Sequence, residues 1–340
     1  MLTFNNTILK INGNWLNTSA SPTPPTPPDP YNPLNLPAYT IRLKYTDGVT
    51  PSFARGTAVQ VSSSPNVWDL TYESGSWRQL LKDDVDLIEV LGANSKDVWR
   101  MDGMFNYCEN LTTVAVFDTS ACTYLQQMFN GCTSLTSLPL FDTSSAINIS
   151  YFVSGCVSLT TVPLFDTHNA TDTSGFFYGC TGITSVPLLD TSKSENMYGM
   201  FNGCTSLTTI PLIDCSKATN MEFMFSGSSV TTIPLLDTSS ATQMQGMFMM
   251  SSIETVPLLN LSSATDLSAM FSSCYNLTAI PLFDTSSATN VDTMFSSCYN
   301  VTSGAYELYQ QMSSQTTPPS SHDNTFYNCG GNENIPSDWK

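Results

Sequence analysis

Ten cysteines, two histidines and a recurring aspartate are the residues with which this chain of 340 residues could do chemistry. Eight of the cysteines, Cys108, Cys132, Cys156, Cys180, Cys204, Cys274, Cys298 and Cys329, share one Phe-x-x-Cys context, with Val153 standing for the Phe before Cys156. Tetrahedral zinc takes its thiolates from close pairs such as Cys-x-x-Cys, and the sequence has no such pair. A thiol that returns in one apolar context reads as a small buried hydrophobe, the commonest fate of free Cys.

The aspartate returns as Asp118, Asp142, Asp166, Asp190, Asp214, Asp237 and Asp284, with Asn260 in its place once. A row of like charges repels itself, so each carboxylate needs local N–H donors. A role at the start of a short helix supplies them, and Asn260 serves that role equally. A calcium ladder is the competing reading. His168 and His322 have no recurrent partners for a nucleophile-base-acid triad, and both read as surface residues. No glycine-rich phosphate loop is present. The expectation is a protein without catalytic residues, cofactor or metal.

The elements that hold these residues repeat. Met-Phe or its substitute recurs at Met104-Phe105, Met128-Phe129, Phe152-Val153, Phe176-Phe177, Met200-Phe201, Met224-Phe225, Met247-Phe248, Met270-Phe271 and Met294-Phe295. The spacing is 24 residues, falling to 23 at two places, and a fixed period in this range marks a stacked array. Met221, Met224, Phe225 and Ser228 fall at i, i+3, i+4 and i+7, which predicts a short helix begun by the preceding Asp-Thr-Ser. Leu207-Thr-Thr-Ile-Pro-Leu212 is β-branched and short, which predicts a strand or extended stretch. Coils stacked at about 4.8 Å would make nine of them a rod of roughly 40 Å. The 23-residue spacings occur where Phe225-Ser-Gly-Ser-Ser-Val230 and Phe248-Met-Met-Ser-Ser-Ile253 lack the cysteine. The cysteine therefore belongs to a bulge of the turn and packs inward.

Charged residues are 11% of the chain, against an ordinary share of about 25%. A formal charge of -17 and the lack of any basic run exclude nucleic acid and anionic membranes as partners. No apolar run approaches the length of about 18 residues needed for membrane insertion. The first residues show no charged start, apolar core and small-residue cleavage site, so an ordinary secretion signal is not expected.

Around the array, residues 1–17 read as a short strand-like segment and residues 18–37, "TSASPTPPTPPDPYNPLNLP", as a stiff Pro-rich linker. Residues 38–98 read as a small β-rich module that caps the first coil. The solenoid spans 99–300. Residues 301–340 form a C-terminal cap, with a longer helix in "SGAYELYQQMSSQ", one more echo of the repeat in "NTFYNCGG" and a Trp near the end.

The units "MFNGCTSLTTIPLIDCSKATNM" and "MFSSCYNLTAIPLFDTSSATNV" resemble the BspA-like leucine-rich repeat family, and the likeness covers roughly residues 99 to 300. With it, the expected fold class is an α+β solenoid of 23–24-residue coils, a short helix plus a short strand, behind a small β-rich domain. The resemblance implies adhesion at a bacterial surface, or a structural protein of phages infecting gut Bacteroidales, where similar repeats occur. The missing secretion signal and anchor favour the phage form: a virion fibre or tail-associated protein, made in the host cytoplasm and released by lysis. The N-terminus, with Ile11, Trp15 and Leu16, would then dock to a virion protein. Three chains per fibre is a common number by this resemblance. A spacer that binds nothing and a bacterial cell-surface adhesin are the alternatives.

Binding would use positions that vary while the frame stays fixed, because stacking turns equivalent residues into surface columns. Aromatics among Ser, Thr and Asn suit a sugar face or a protein contact. The candidates are Tyr178, Tyr198, Phe223, Met249, Tyr275 and Tyr299, and the partner a host surface glycan or protein.

Overall fold

The computed structural model describes residues 10–11, 14–15, 29–53, 55–72 and 75–340. Lys10–Ile11 (β1) and Asn14–Trp15 (β2) pair antiparallel, Lys10 opposite Trp15. The side chains of Ile11 and Trp15, and Leu16 altogether, lie outside the described residues, as does most of the Pro-rich stretch. At its end Leu36 is buried, its carbonyl accepting from the amides of Asn32 at 3.0 Å and Asn94 at 2.8 Å.

Alternating apolar residues build Thr40–Tyr45 (β3), Thr57–Ser63 (β4), Asn66–Thr71 (β5) and Leu87–Asn94 (β6). With Thr113–Val114 (β7) they form one sheet in the order β4-β5-β3-β6-β7. Pairing is antiparallel up to β6, then parallel, with Val90 opposite Val114. That change of direction is where the module becomes the array, since strands stacked by successive coils must run parallel. Ile41, Leu43 and Leu70 join the buried Phe and Met of the coils in one continuous core.

The coils depart from expectation in both halves. The Met-Phe half is a ribbon of successive tight turns and forms no helix. An α-helix needs each N–H to bond four residues back. Here Met200 N–H bonds Met197 O, three back, while Gly199, Phe201 and Gly203 donate to Glu222, Met224 and Ser226 of the next coil. Gly199 and Gly203 have φ of 56° and 69°, which interrupts helical geometry twice per coil. Two consecutive turns point Met197, Met200, Phe201 and Cys204 inward, so the i, i+3, i+4, i+7 pattern arises without a helix. The Leu207–Leu212 half is extended and mostly free of regular pairing. Its proline lacks an N–H, and the bridges of that half among the described residues include Thr232 with Thr255 and Ala279 with Ser303.

The stack is held instead at the residue before each turn ribbon. Ser76, Arg100, Tyr124, Asn148, Asp172, Asn196, Asn220, Gln243, Asp266, Asn290 and Ser321 bridge one to the next in parallel. One residue earlier the bonds run the other way, Thr219 N–H to Glu195 O and Thr242 N–H to Thr219 O. Each coil is therefore tied to both neighbours. The frame starts before the Met-Phe pattern: Trp77, Gln79 and Leu81 donate to Arg100, Asp102 and Met104 as later coils do. Inside, the phenylalanines stack, with Phe201–Phe225 centroids at 5.5 Å and Phe271–Phe295 at 5.1 Å.

Beyond the last full coil, Ala305–Ser313 forms the predicted helix, α1. Residues 321–329 return to the frame, with Ser297 N–H bonding Tyr327 O. The buried Trp339 covers Phe326 and stacks on His322 at 4.3 Å with 1° between the rings. His322, expected at the free surface, is half-buried under that indole.

Candidate functional site

All ten cysteines are free and buried. Their thiols donate to backbone, as Cys156 does to Phe129 O at 3.0 Å, and burial pushes them up, Cys180 and Cys274 to about 12. A thiol kept protonated is neither nucleophile nor ligand at neutral pH. Among the described residues no three His, Cys, Asp or Glu converge on a point that could hold a metal ion.

The recurring aspartate caps a turn, not a helix. Asp190 Oδ1 accepts the Ser192 N–H at 3.0 Å and its hydroxyl at 2.6 Å, and Asn260 does the same for Ser262. These bonds, the Ser192 hydroxyl first, hold the Asp190 carboxyl below its ordinary value. His168 takes the serine's place once, its Nδ1 2.6 Å from Asp166. The threonine that follows the Asp donates to the next coil's Asp carbonyl, as Thr167 does to Asp190 O at 2.7 Å. Polar chemistry on this row is consumed by structure.

The turn ribbons carry the distinctive surface. Tyr151 and Tyr178 lie 6.2 Å apart, and Tyr198 and Phe223 5.8 Å apart, in four successive coils. The two pairs adjoin, since the Tyr178 ring lies against Gly199, the residue after Tyr198. Each of three rings is seated over a glycine of the next coil. A Cβ on Gly175 would fall 2.3 Å from Tyr151, on Gly199 3.2 Å from Tyr178, and on Gly246 2.5 Å from Phe223. Tyr151 and Phe223 are themselves at φ 54°, a left-handed conformation that costs a bulky side chain about 1 kcal/mol or more. Gln127, Ala269 and Thr293 are left-handed at the same place in their coils, so this conformation belongs to the turn ribbon.

Polar groups border the rings. Tyr198 N–H bonds Asn196 Oδ1 at 3.1 Å and Glu222 N–H bonds Asn220 Oδ1 at 2.9 Å. Burial, then Asp266, raises the Glu222 carboxyl. The patch offers apolar ring faces beside amides and carboxylates, the composition that receives a sugar ring with its hydroxyls.

Three of the six predicted binding residues, Tyr178, Tyr198 and Phe223, fall in this patch. Tyr275 and Tyr299 form a separate pair, parallel within 5° at 5.8 Å, and more than half exposed. Met249 is half-buried, and its neighbour Met250, at φ 58°, holds the exposed position. Tyr151 is not among the six. Its signal was available: it precedes Gly175 by one coil as Phe223 precedes Gly246.

The family model described as "Mycoplasma protein of unknown function, DUF285" matches residues 83–187, 157–256, 195–307 and 219–337, in overlapping copies that follow the repeat. No curated protein matches the chain. Among solved structures, a leucine-rich repeat protein from Bacteroides ovatus ATCC 8483 is similar at 14% identity over 84% of this chain and 91% of that one, with a TM-score of 0.37. A leucine rich cell surface protein from Faecalibacterium prausnitzii A2-165 is similar at 18% identity over 67% of this chain and 79% of that one, with a TM-score of 0.29. With matches running from residue 83 to residue 337, the chain belongs to the DUF285 family of Mycoplasma proteins of unknown function.

Proposed function

We propose that this protein is a non-enzymatic surface-recognition array that binds a cell-surface glycan through the aromatic patch on its turn ribbons. The observation that carries the reading is the run Tyr151, Tyr178, Tyr198 and Phe223, four aromatic residues in successive coils, three of whose rings are seated on glycines. The inward positions are already filled by Met and Phe, and none of the four rings belongs to that core. The narrower form places the array on a phage virion, facing the host, with residues 1–17 as its attachment.

The test is binding of the full chain to a panel of intact Bacteroidales cells and their capsular glycans, beside Tyr178→Ala/Phe223→Ala. Selective binding, weakened at least tenfold in the variant, supports the proposal. Binding that the variant leaves unchanged overturns the site, and uniform absence of binding makes the array a spacer. Removing residues 1–37 is expected to abolish incorporation into particles without affecting glycan binding; a truncated chain that still enters particles overturns the virion attachment.

A further inference from the structure

One leucine per coil, from Leu140, Leu164 and Leu188 through Leu212 to Leu282, stands in a single surface row, each of the seven between 56% and 63% exposed. Each follows the proline of its coil and precedes a core residue such as Phe141, Ile213 or Leu236, so the extended backbone turns it outward. At about 100 Å² per leucine the row presents on the order of 700 Å², more than the largest apolar patch of an ordinary monomer and close to the roughly 800 Å² per partner of a standard interface.

We propose that this row is a self-association surface, which joins two copies of the chain side by side with their arrays parallel. Three features select a second copy. The area matches what a stable dimer needs. The row is uniform, the same residue in seven coils, whereas the aromatic columns change from coil to coil; a copy has the same pitch, so every leucine meets a leucine. The flanks then fix the direction. On one side of each leucine, two residues on, runs the row of carboxylates Asp142, Asp166, Asp190, Asp214, Asp237 and Asp284, with Asn260 once in its place. On the other side, three residues back, stand exposed hydroxyls such as Ser137, Thr161, Thr209 and Thr232.

A two-fold axis across the arrays would set one aspartate row against the other, in a chain that already carries a formal charge of -17. An axis along the arrays sets each aspartate row against the partner's hydroxyls, which donate to carboxylates. The self-complementary surface is therefore satisfied in the parallel arrangement.

Light scattering on the full chain at micromolar concentration tests this. The wild type is expected at twice the 37.1 kDa of one chain, and Leu188→Asp/Leu212→Asp/Leu235→Asp at one chain, with unchanged circular dichroism because these side chains are more than half exposed and lie outside the core. Leu140→Cys should cross-link to itself, and a mixture of Leu140→Cys with Leu282→Cys should give no mixed product. A monomeric wild type, or a dimer whose mass the triple variant leaves unchanged, overturns the surface. A mixed 140–282 product overturns the parallel arrangement.

Discussion

The thiol of Cys204 donates to the backbone carbonyl of Phe177, 27 residues earlier, at 3.1 Å. The same bond joins Cys132 to Phe105 and Cys298 to Phe271, so the cysteine ties a coil to the one before it. In the short coil, Ser228 turns its hydroxyl onto its own Phe225 at 2.8 Å. Removal of one tie, Cys204→Ala, is expected to cost about 1–2 kcal/mol from the lost bond and the small void. Urea unfolding measures it. In a stack with nearest-neighbour coupling, Cys132→Ala should add its own similar increment. A double variant no weaker than either single one would contradict the tie.

The buried thiols set an alkaline limit. Folded values are raised above the ordinary 9, for Cys122, Cys215, Cys274 and Cys329 to about 12. Between those values the unfolded chain has lost protons that the folded chain keeps. Each thiol then withdraws about 1.4 kcal/mol of stability per pH unit. Stability should be flat up to about pH 9 and fall steeply above it. Thermal unfolding across pH 7–11 checks this, and a flat profile to pH 11 would show that the thiols are open to solvent.

The period, the inward Met, Phe and Cys, the helix at 305–313 and the closing coil were all legible in the sequence. The turn ribbon was not, because Met197, Met200, Phe201 and Cys204 produce a helical spacing from two consecutive turns. The distinguishing signal lay in Gly199 and Gly203, four residues apart, but Tyr151, Phe223 and Met250 take the same left-handed positions and conceal it. The leucine row was read with the strand half, since nothing in Ile-Pro-Leu tells an outward Leu212 from an inward Ile210. The aromatic columns were visible as variation within a fixed frame, and only their grouping needed coordinates.

Glycines beneath the rings offer a test of the patch that leaves the rings in place. In Gly175→Ala the new methyl would meet the Tyr151 ring at 2.3 Å, and φ of 57° adds about 1 kcal/mol of strain. Glycan binding is expected to fall by more than tenfold while the protein stays folded. Gly155→Ala, at φ 69° but 3.5 Å from the nearest backbone, is the control: it carries the strain without displacing a ring. Equal binding by the two variants would separate recognition from ring position.

The aspartate row predicts a difference between charge and capping. Asp237 Oδ1 accepts the Ser239 N–H at 3.0 Å, and Asn260 accepts that of Ser262 at 3.1 Å. Asp237→Asn should therefore be near neutral, and Asp237→Ala should cost about 1 kcal/mol, the size of a lost cap. The Ser239 hydroxyl and N–H hold the Asp237 carboxyl below its ordinary value. Its stabilising share is thus present above the ordinary carboxylate range and is lost as pH falls through the folded value. Added calcium should leave the melting temperature unchanged; an increase would restore the ladder reading.

The C-terminal end is closed by one side chain. Trp339 packs edge-on to Tyr309 at 5.4 Å and flat on His322, and its carbonyl accepts the Phe326 N–H at 2.9 Å. Behind it lies the column Phe326, Phe295, Phe271, each stacked on the next. Trp339→Ala would expose the end of that column, at a cost of about 3 kcal/mol for a large buried side chain. Because each coil contacts only its neighbours, the loss should fray the last coils and leave the first ones intact. Hydrogen exchange resolved along the chain is expected to show faster exchange from residue 291 onward and unchanged protection near Met104 and Met128. Uniform loss along the whole array would mean that it unfolds as one unit and that the cap stabilises every coil equally.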